Sequence, residues 1–135
     1  MHNKEVITYI DLFSGLGGIR LGFEQALAEK GLSGKCVFTS EIKPAAIKAL
    51  NHNFPGENIA STDITKVKKD EVPNFNVLLG GFPCQAFSLA GQRMGFEDNY
   101  KGMCRGTLFM DVARICEYHK PKVIFCENVK GLVIH

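Results

Sequence analysis

Two residues with reactive side chains each follow an apolar, strand-like segment. Cys84 lies in GGFPCQ (80–85), directly after the run FNVLLGGF (75–82), and Glu127 lies in KVIFCENV (122–129). An accessible thiol that is helped to ionise is a nucleophile, and a carboxyl group desolvated by apolar neighbours can donate a proton. A free cysteine by itself is more often a small core residue. If the fold brings the two together, they indicate covalent addition to an electron-poor ring that the acid protonates.

A glycine-rich turn lies between the first strand-like run and the first helix-like run, in DLFSGLGGIRLG (11–22). A P-loop is excluded because its lysine is missing, and the G-x-G-x-x-G dinucleotide pattern is imperfect because position 20 is Arg20. Gly15, Gly17 and Gly18 allow a ligand to approach the backbone closely, and the helix N-terminus offers free N–H groups. The turn therefore predicts a nucleotide-like ligand; the alternative is a turn that only caps the helix.

Two further acids follow strand-like segments. Glu41 lies 26 positions after Gly15, where a carboxylate commonly accepts hydrogen bonds from ribose hydroxyls. Asp63 lies in NIASTDIT (58–65), at the end of the third predicted strand, and could accept a hydrogen bond from an adenine amino group. The alternatives are a solvent-exposed charge for Glu41 and a helix N-cap for Asp63.

Strand-like and helix-like patterns alternate along the chain, which predicts an open α/β layer with a parallel sheet and right-handed crossovers. Ligands bind such sheets at the carboxyl ends of the strands. We therefore expect Asp11–Gly18, Glu41, Asp63, Phe82–Gln85 and Glu127 to converge on one crevice. The predicted strands are 6–13, 36–41, 75–82 and 122–129, with a short strand and turn over 58–65. The predicted helices are 16–31, 43–54 and 106–119, and a long loop is predicted over 83–104.

Composition places the chain among single globular domains. It has 135 residues, 45% of them hydrophobic and 22% charged, with a formal net charge of +2, so binding to nucleic acid has to be argued from a site. We expect no membrane span and no secretory signal, because neither type of apolar segment is present. Five cysteines without a C-x-x-C pair indicate free thiols in a reducing cytoplasm and no metal site. The final KGLVIH follows a strand directly, so we expect an apolar sheet edge and a longer protein or a second polypeptide that completes the fold.

Four motifs, in order, carry a family resemblance: DLFSGLGGIRLGFE, GGFPCQAFSLAG, RGTLF and ENVKG. Together they resemble the cytosine-C5 DNA methyltransferases over almost the whole chain. The resemblance implies an open, mostly parallel Rossmann-like sheet of the S-adenosylmethionine-dependent methyltransferase type, truncated after about the fifth strand. Residues 1–135 would be the N-terminal part of the catalytic, cofactor-binding domain, and the target-recognition region and a later arginine motif lie outside them.

The resemblance also implies a reaction. Cys84 would attack C6 of a flipped-out cytosine in double-stranded DNA, and Glu127 would contact N3 and the exocyclic amine. The activated C5 would then take a methyl group from S-adenosylmethionine, which leaves S-adenosylhomocysteine. A bacterial restriction-modification enzyme is the expected setting. An RNA (tRNA) cytosine-C5 methyltransferase and a non-catalytic cofactor-binding half that needs a second chain are the alternatives; a dinucleotide oxidoreductase would leave Cys84 and Glu127 unexplained.

The remaining site residues are implied by position in the motifs. The loop from Gln85 to Arg105 matches a lid over DNA, lengthened by EDNYKGMCRG, and Asn128 would orient the loop after the last strand. Residues expected at the substrate are Pro83, Gln85, Ser88, Gln92, Arg93 and Val129. Residues expected at the cofactor are Phe13, Gly15, Leu16, Gly17, Gly18, Glu41, Ile42, Asp63, Ile64, Phe82 and Leu108.

Overall fold

A four-stranded, all-parallel sheet forms the centre of the molecule. The computed structural model describes residues 5–82, 99–100, 103–104 and 108–128. Strands β1 (Val6–Leu12), β2 (Ser33–Thr39), β3 (Val77–Gly80) and β6 (Val123–Cys126) lie in the order β2-β1-β3-β6. The register pairs Tyr9 with both Cys36 and Val77, and Val77 with Val123. The predicted open α/β fold with a parallel sheet is thereby confirmed.

Three helices connect these strands, and their ends follow from sequence signals. They are α1 (Gly18–Glu29), α2 (Pro44–Asn53) and α3 (Leu108–His119). Pro44 occupies the first turn of α2, where its missing N–H leaves no bond unmade. Gly31, two residues after the last residue of α1, has φ +70° and terminates the helix: its N–H donates to the Ala28 carbonyl, and the Leu32 N–H donates to the Leu27 carbonyl. This is a Schellman motif, and it confirms Gly31 as the predicted stop.

The core has one cluster on each face of the sheet. The larger cluster packs the first two turns of α3 against β1 and β3 and includes Ile10, Leu78, Val112 and Ile115. The smaller cluster has Tyr9, Val77 and Leu79 at its centre, with Ile19 and Phe23 of α1 packed against them. Strands β1 and β3 are therefore buried on both faces, as expected of continuous apolar runs in a parallel sheet.

The predicted strand over 58–65 is wrong. The Ile59 N–H donates to Asn51 Oδ1 at 2.7 Å, and the Ile59 carbonyl accepts from Asn51 Nδ2 at 2.8 Å. An asparagine side chain thus satisfies backbone groups that a strand ladder would otherwise pair. Two short 3-10 helices follow, Ile64–Lys66 and Lys69–Glu71.

The predicted loop over 83–104 also needs a correction at its end. Strands β4 (Asn99–Tyr100) and β5 (Met103–Cys104) pair antiparallel as a separate two-stranded sheet. Four residues that the sequence placed in an irregular loop therefore form a short hairpin.

The predicted apolar sheet edge is present at β6. Val123, Ile124 and Phe125 are 52%, 51% and 53% exposed, and within the described residues β6 pairs with β3 alone. Among the described helices, none is long and apolar enough to span a bilayer.

Candidate active site

The topology creates a crevice between the carboxyl ends of β1 and β3. From β1 the chain crosses to β2 on one side and later returns to β3 on the other, so the direction of strand order reverses between β1 and β3. Ligands of doubly wound sheets bind at such a reversal. The glycine turn after β1, Glu41 after β2, Gly81–Phe82 after β3 and Glu127 after β6 all leave the sheet at this end.

The glycine turn is held in a conformation with positive φ values. Phe13 has φ +55°, Gly15 +58° and Gly17 +83°. The Gly17 N–H donates to the Ser14 carbonyl at 2.9 Å, and the Ser14 N–H donates to the Ser40 carbonyl at 3.0 Å. Gly17 is the N-cap of α1 and offers no side-chain acceptor, so the first turn of α1 begins without a side-chain cap and can present N–H groups to a ligand.

Glu41 is tied to this turn. It is 9% exposed; its Oε2 accepts from the Gly15 N–H at 2.7 Å, and its Oε1 accepts from the Ile42 and Lys43 N–H groups at 2.9 and 3.0 Å. The alternative of a solvent-exposed charge is therefore wrong. A carboxylate accepts about four hydrogen bonds, so Glu41 retains room for one ribose hydroxyl, and binding a second would displace a backbone N–H.

Asp11 is a buried acid beneath the turn. It is 1% exposed and accepts a hydrogen bond from the Ser14 hydroxyl. Burial raises the pKa of Asp11 to about 6; the Ser14 hydrogen bond and the Arg20 charge oppose the shift, and Glu41 adds to it. The Asp11 carboxyl group holds the turn through its hydrogen bond with Ser14. The burial that this position requires makes the carboxyl group harder to ionise.

Aromatic rings line the crevice. The Phe13 and Phe82 ring centroids are 6.4 Å apart, and those of Phe82 and Phe109 are 5.8 Å apart. Leu16 and Ile42 present exposed apolar side chains at the turn and at the start of α2. Three predicted cofactor residues, Phe13, Leu16 and Ile42, offer the apolar surface that an adenine ring needs. The fourth, Phe82, is 3% exposed and is buried against Phe13.

Two other predicted cofactor residues lie deeper in the fold. Ile64 and Leu108 are 3% and 5% exposed and belong to the larger core cluster. Asp63 caps the 3-10 helix after it: its Oδ1 accepts from the Thr65 N–H at 3.0 Å and from the Thr65 hydroxyl at 2.6 Å. The N-cap alternative for Asp63 is thus present in the structure, and its Oδ2 takes no hydrogen bond from the described residues.

Glu127 lies beside the segment that leads to Cys84. Its N–H donates to the Gly80 carbonyl at 2.9 Å, and its Oε2 is 3.7 Å from the position a Cβ would take on Gly81. Asn128 donates to the Phe82 carbonyl at 3.2 Å, which agrees with the orienting role expected of it. The desolvated setting expected for Glu127 is not found, because β6 lies at the sheet edge and leaves this residue exposed.

Several predicted residues lie outside the described ones. They are Cys84, Pro83, Gln85, Ser88, Gln92, Arg93 and Val129. Within the described ranges, no three His, Cys, Asp or Glu side chains come together as metal ligands.

A cavity of about 440 Å³ lies elsewhere, along the outer side of β2. Lys35, Cys36 and Phe38 of β2 line it together with Glu57 and Ile59. None of the predicted cofactor residues contributes to it, so it is separate from the crevice.

Sequence reasoning missed four residues that shape the site. Asp11 was noted only as a polar residue at a strand end, and Arg20 only as a mismatch to a glycine pattern. Ser40, whose Oγ accepts from the Phe13 N–H at 3.1 Å, and Phe109 carried no signal of their own. The usable sequence signal is Asp11 itself. A charged residue within an apolar, strand-like run is expected to be buried, and a buried charge needs a hydrogen-bond partner nearby.

Comparison with known proteins agrees with this arrangement. The model of the C-5 cytosine-specific DNA methylase family matches residues 7–135. The Type II methyltransferase M.NlaIV of Neisseria lactamica is 57% identical over 129 residues, which cover 96% of this chain and 29% of that protein. M1.ScrFI of Lactococcus lactis subsp. cremoris is 47% identical, covering 98% and 32%, and M.HhaI of Haemophilus parahaemolyticus is 46% identical, covering 96% and 36%.

The chain thus spans between 29% and 36% of the length of these relatives. The family match covers the glycine turn, Glu41, the GGFPCQ segment and Glu127 in one continuous stretch. The chain belongs to the C-5 cytosine-specific DNA methylase family.

Proposed function

We propose that this chain carries the cofactor pocket and catalytic residues of a DNA cytosine-C5 methyltransferase. The family match over residues 7–135 carries the proposal. The positions of the glycine turn, Glu41 and Glu127 at neighbouring strand ends support it, because one crevice then holds both cofactor and target base.

The residues around the crevice fit S-adenosylmethionine. Phe13, Leu16 and Ile42 offer apolar surface for the adenine ring, and Glu41 has acceptor capacity for a ribose hydroxyl. Gly15 has no Cβ, and a Cβ there would project into open space, so a ligand can approach the backbone closely at this position. When bound, S-adenosylmethionine supplies an electrophilic methyl group.

Cys84 and Glu127 perform the covalent chemistry in this proposal. The Cys84 thiolate adds its electron pair to C6 of cytosine, and Glu127 donates a hydrogen bond or proton at N3, which takes up the displaced charge. C5 thereby becomes a nucleophile and accepts the methyl group. Loss of the C5 proton then expels the Cys84 thiolate and restores the aromatic ring.

The exposure of Glu127 sets a condition on this step. A flipped-out base that fills the space beside Gly81 would desolvate the carboxyl group at the moment of reaction. The flipped-out base, rather than the described residues of the protein, would then shield the Glu127 carboxyl group from water.

We propose double-stranded DNA as the substrate and a restriction-modification system as the setting. The family description names DNA, and the relatives named above are Type II methyltransferases. The alternative function, methylation of cytosine in RNA, has no comparable support.

The test is to trap the covalent intermediate with the full-length protein. Duplex DNA containing 5-fluorocytosine blocks loss of the C5 substituent, so S-adenosylmethionine and DNA should yield a complex that survives denaturation. Cys84→Ser should abolish it, whereas Cys126→Ser, which removes an exposed thiol beside Glu127, should keep it. A complex formed on RNA alone would transfer the proposal to RNA, and no complex on either would overturn it.

A further inference from the structure

Arg20 is buried at the junction of α1, β1 and the segment after α2. It is 2% exposed, and a buried guanidinium is unfavourable unless its charge and N–H groups are matched. Its Nη1 donates to Glu57 Oε2 at 2.8 Å and its Nη2 donates to Glu57 Oε1, while its Nε donates to the Tyr9 hydroxyl at 3.1 Å. The side chain is thus held from two sides.

The same guanidinium stacks on an aromatic ring. Arg20 Cζ lies 3.7 Å from the centroid of the Phe54 ring, a distance at which cation and ring attract each other. Burial alone lowers the pKa of Arg20, but the hydrogen bonds to Glu57 and nearby groups reverse this and raise it overall. Arg20 therefore stays charged and keeps Glu57 and Phe54 in fixed positions.

Phe54 in turn supports the glycine turn. Its Cε2 atom lies 2.6 Å from the position that a Cβ would take on Gly17, and Leu50 of α2 is 3.1 Å from the same point. The neighbouring Asn53 donates to the Leu16 carbonyl at 3.3 Å. The end of α2 therefore forms the floor beneath Leu16 and Gly17, two of the residues assigned to the cofactor.

We propose that Arg20 is a positioning residue that, through Glu57 and Phe54, holds the glycine turn in the conformation that binds S-adenosylmethionine. This role rests on the proposed function. Its effect falls on cofactor affinity, since Arg20 and Glu57 border the cavity along β2, which is separate from the crevice. Glu24, which accepts hydrogen bonds from the Tyr9 hydroxyl and, at 3.5 Å, from Arg20 Nε, belongs to the same cluster. Glu29, an exposed carboxylate near the end of the same helix, therefore provides the matched control.

The test compares Arg20→Met and Glu57→Gln with the control Glu29→Gln, all in the full-length protein. Calorimetric titration with S-adenosylhomocysteine should show a Kd raised about tenfold for Arg20→Met, a loss on the scale of one good polar contact. Glu57→Gln, which changes a partly exposed side chain and spares the core, should shift Kd in the same direction. The control should stay within about twofold, and kcat at saturating cofactor should be unchanged in all three.

Hydrogen exchange of the Gly17 amide provides a readout without any ligand. Its N–H is bonded to the Ser14 carbonyl, so loosening of the turn should speed its exchange in Arg20→Met and Glu57→Gln but not in Glu29→Gln. If Arg20→Met and Glu57→Gln lower the unfolding temperature but change neither the Kd for S-adenosylhomocysteine nor the exchange rate of the Gly17 amide, the positioning role of Arg20 is overturned and the proposed function is not. Wild-type protein that binds no S-adenosylhomocysteine would overturn the proposed function as well.

Discussion

Asp11 shows how burial changes the ionisation of a single residue in the site. Asp11 sits almost fully buried at the end of β1, with a pKa raised from 3.8 to about 6 mainly by burial. Ser14 and Arg20 only partly offset this. The molecule keeps a carboxyl group here because its hydrogen bond to Ser14 fixes the backbone that follows.

The raised pKa of Asp11 predicts a pH dependence of stability. The folded state holds the Asp11 proton more tightly than the unfolded state does. The contribution of Asp11 to stability is therefore greatest below pH 4, falls between pH 4 and 6, and stays lower above pH 6. The penalty is on the order of 3 kcal/mol before screening and relaxation reduce it. Asp11→Asn cannot ionise and should lose this fall, as urea unfolding from pH 4 to 8 would show. Parallel curves for wild type and Asp11→Asn would contradict the prediction.

Gly17 and Gly18 are adjacent glycines with different requirements. Gly17 has φ +83°, and a Cβ there would lie 2.6 Å from Phe54; a Cβ on Gly18 would meet nothing within 4 Å. Gly17→Ala should therefore destabilise the protein by about 1–3 kcal/mol, because strain and overlap add. Gly18→Ala should be neutral or slightly stabilising, since alanine favours the first helical turn. Equal unfolding free energies for the two variants would refute this distinction.

At the scale of elements, hydrogen bonds from side chains to the backbone prevent the segment 58–65 from forming a strand. Asn51 pairs both backbone groups of Ile59, and Asp63 then starts a 3-10 helix. The segment 58–65 is β-branched enough to suggest a strand, but these two polar side chains offer its backbone a different set of partners.

Asp63 has a capping role in the structure and a cofactor role in the proposal, and two variants separate them. Asp63→Ser keeps a hydroxyl acceptor for the Thr65 N–H, so stability should be retained, whereas Asp63→Ala should cost about 1 kcal/mol. Both should weaken S-adenosylhomocysteine binding, because neither side chain reaches as far as a carboxylate. Thermal unfolding and titration of the two variants provide the measurements; wild-type affinity in Asp63→Ser would assign the residue to capping alone.

At the scale of the whole molecule, the described part of the sheet has an open apolar edge at β6. Val123, Ile124 and Phe125 are about half exposed on β6, and an uncovered edge of this kind invites pairing with another chain. A polypeptide of these 135 residues should therefore associate at micromolar concentration. Phe125→Lys should reduce that association, while Met110→Lys, which alters an exposed apolar side chain on α3, should not. Light scattering at several concentrations measures this, and equal association of both variants would place the contact elsewhere.

Much of the fold was readable from the sequence because its signals are local. Apolar runs marked β1, β3 and β6; Pro44 and Gly31 marked helix ends; and four short motifs marked the family. The general location of the site followed as well, since polar residues after buried strands meet at one end of a parallel sheet.

The tertiary structure decided what each side chain does once it is there. Glu41 accepts hydrogen bonds from three backbone N–H groups. Ile64 and Leu108 lie in the core, and Glu127 is exposed at the edge of the described sheet. Arg20, which broke a sequence pattern, proved to connect Glu57, Phe54 and the glycine turn. Residue type and order determine which groups reach the crevice. Burial and hydrogen-bond partners depend on segments far apart in the chain, such as Arg20 and Glu57, 37 positions apart, and Phe82 and Asn128, 46 positions apart, and only the packing of these segments assigns them.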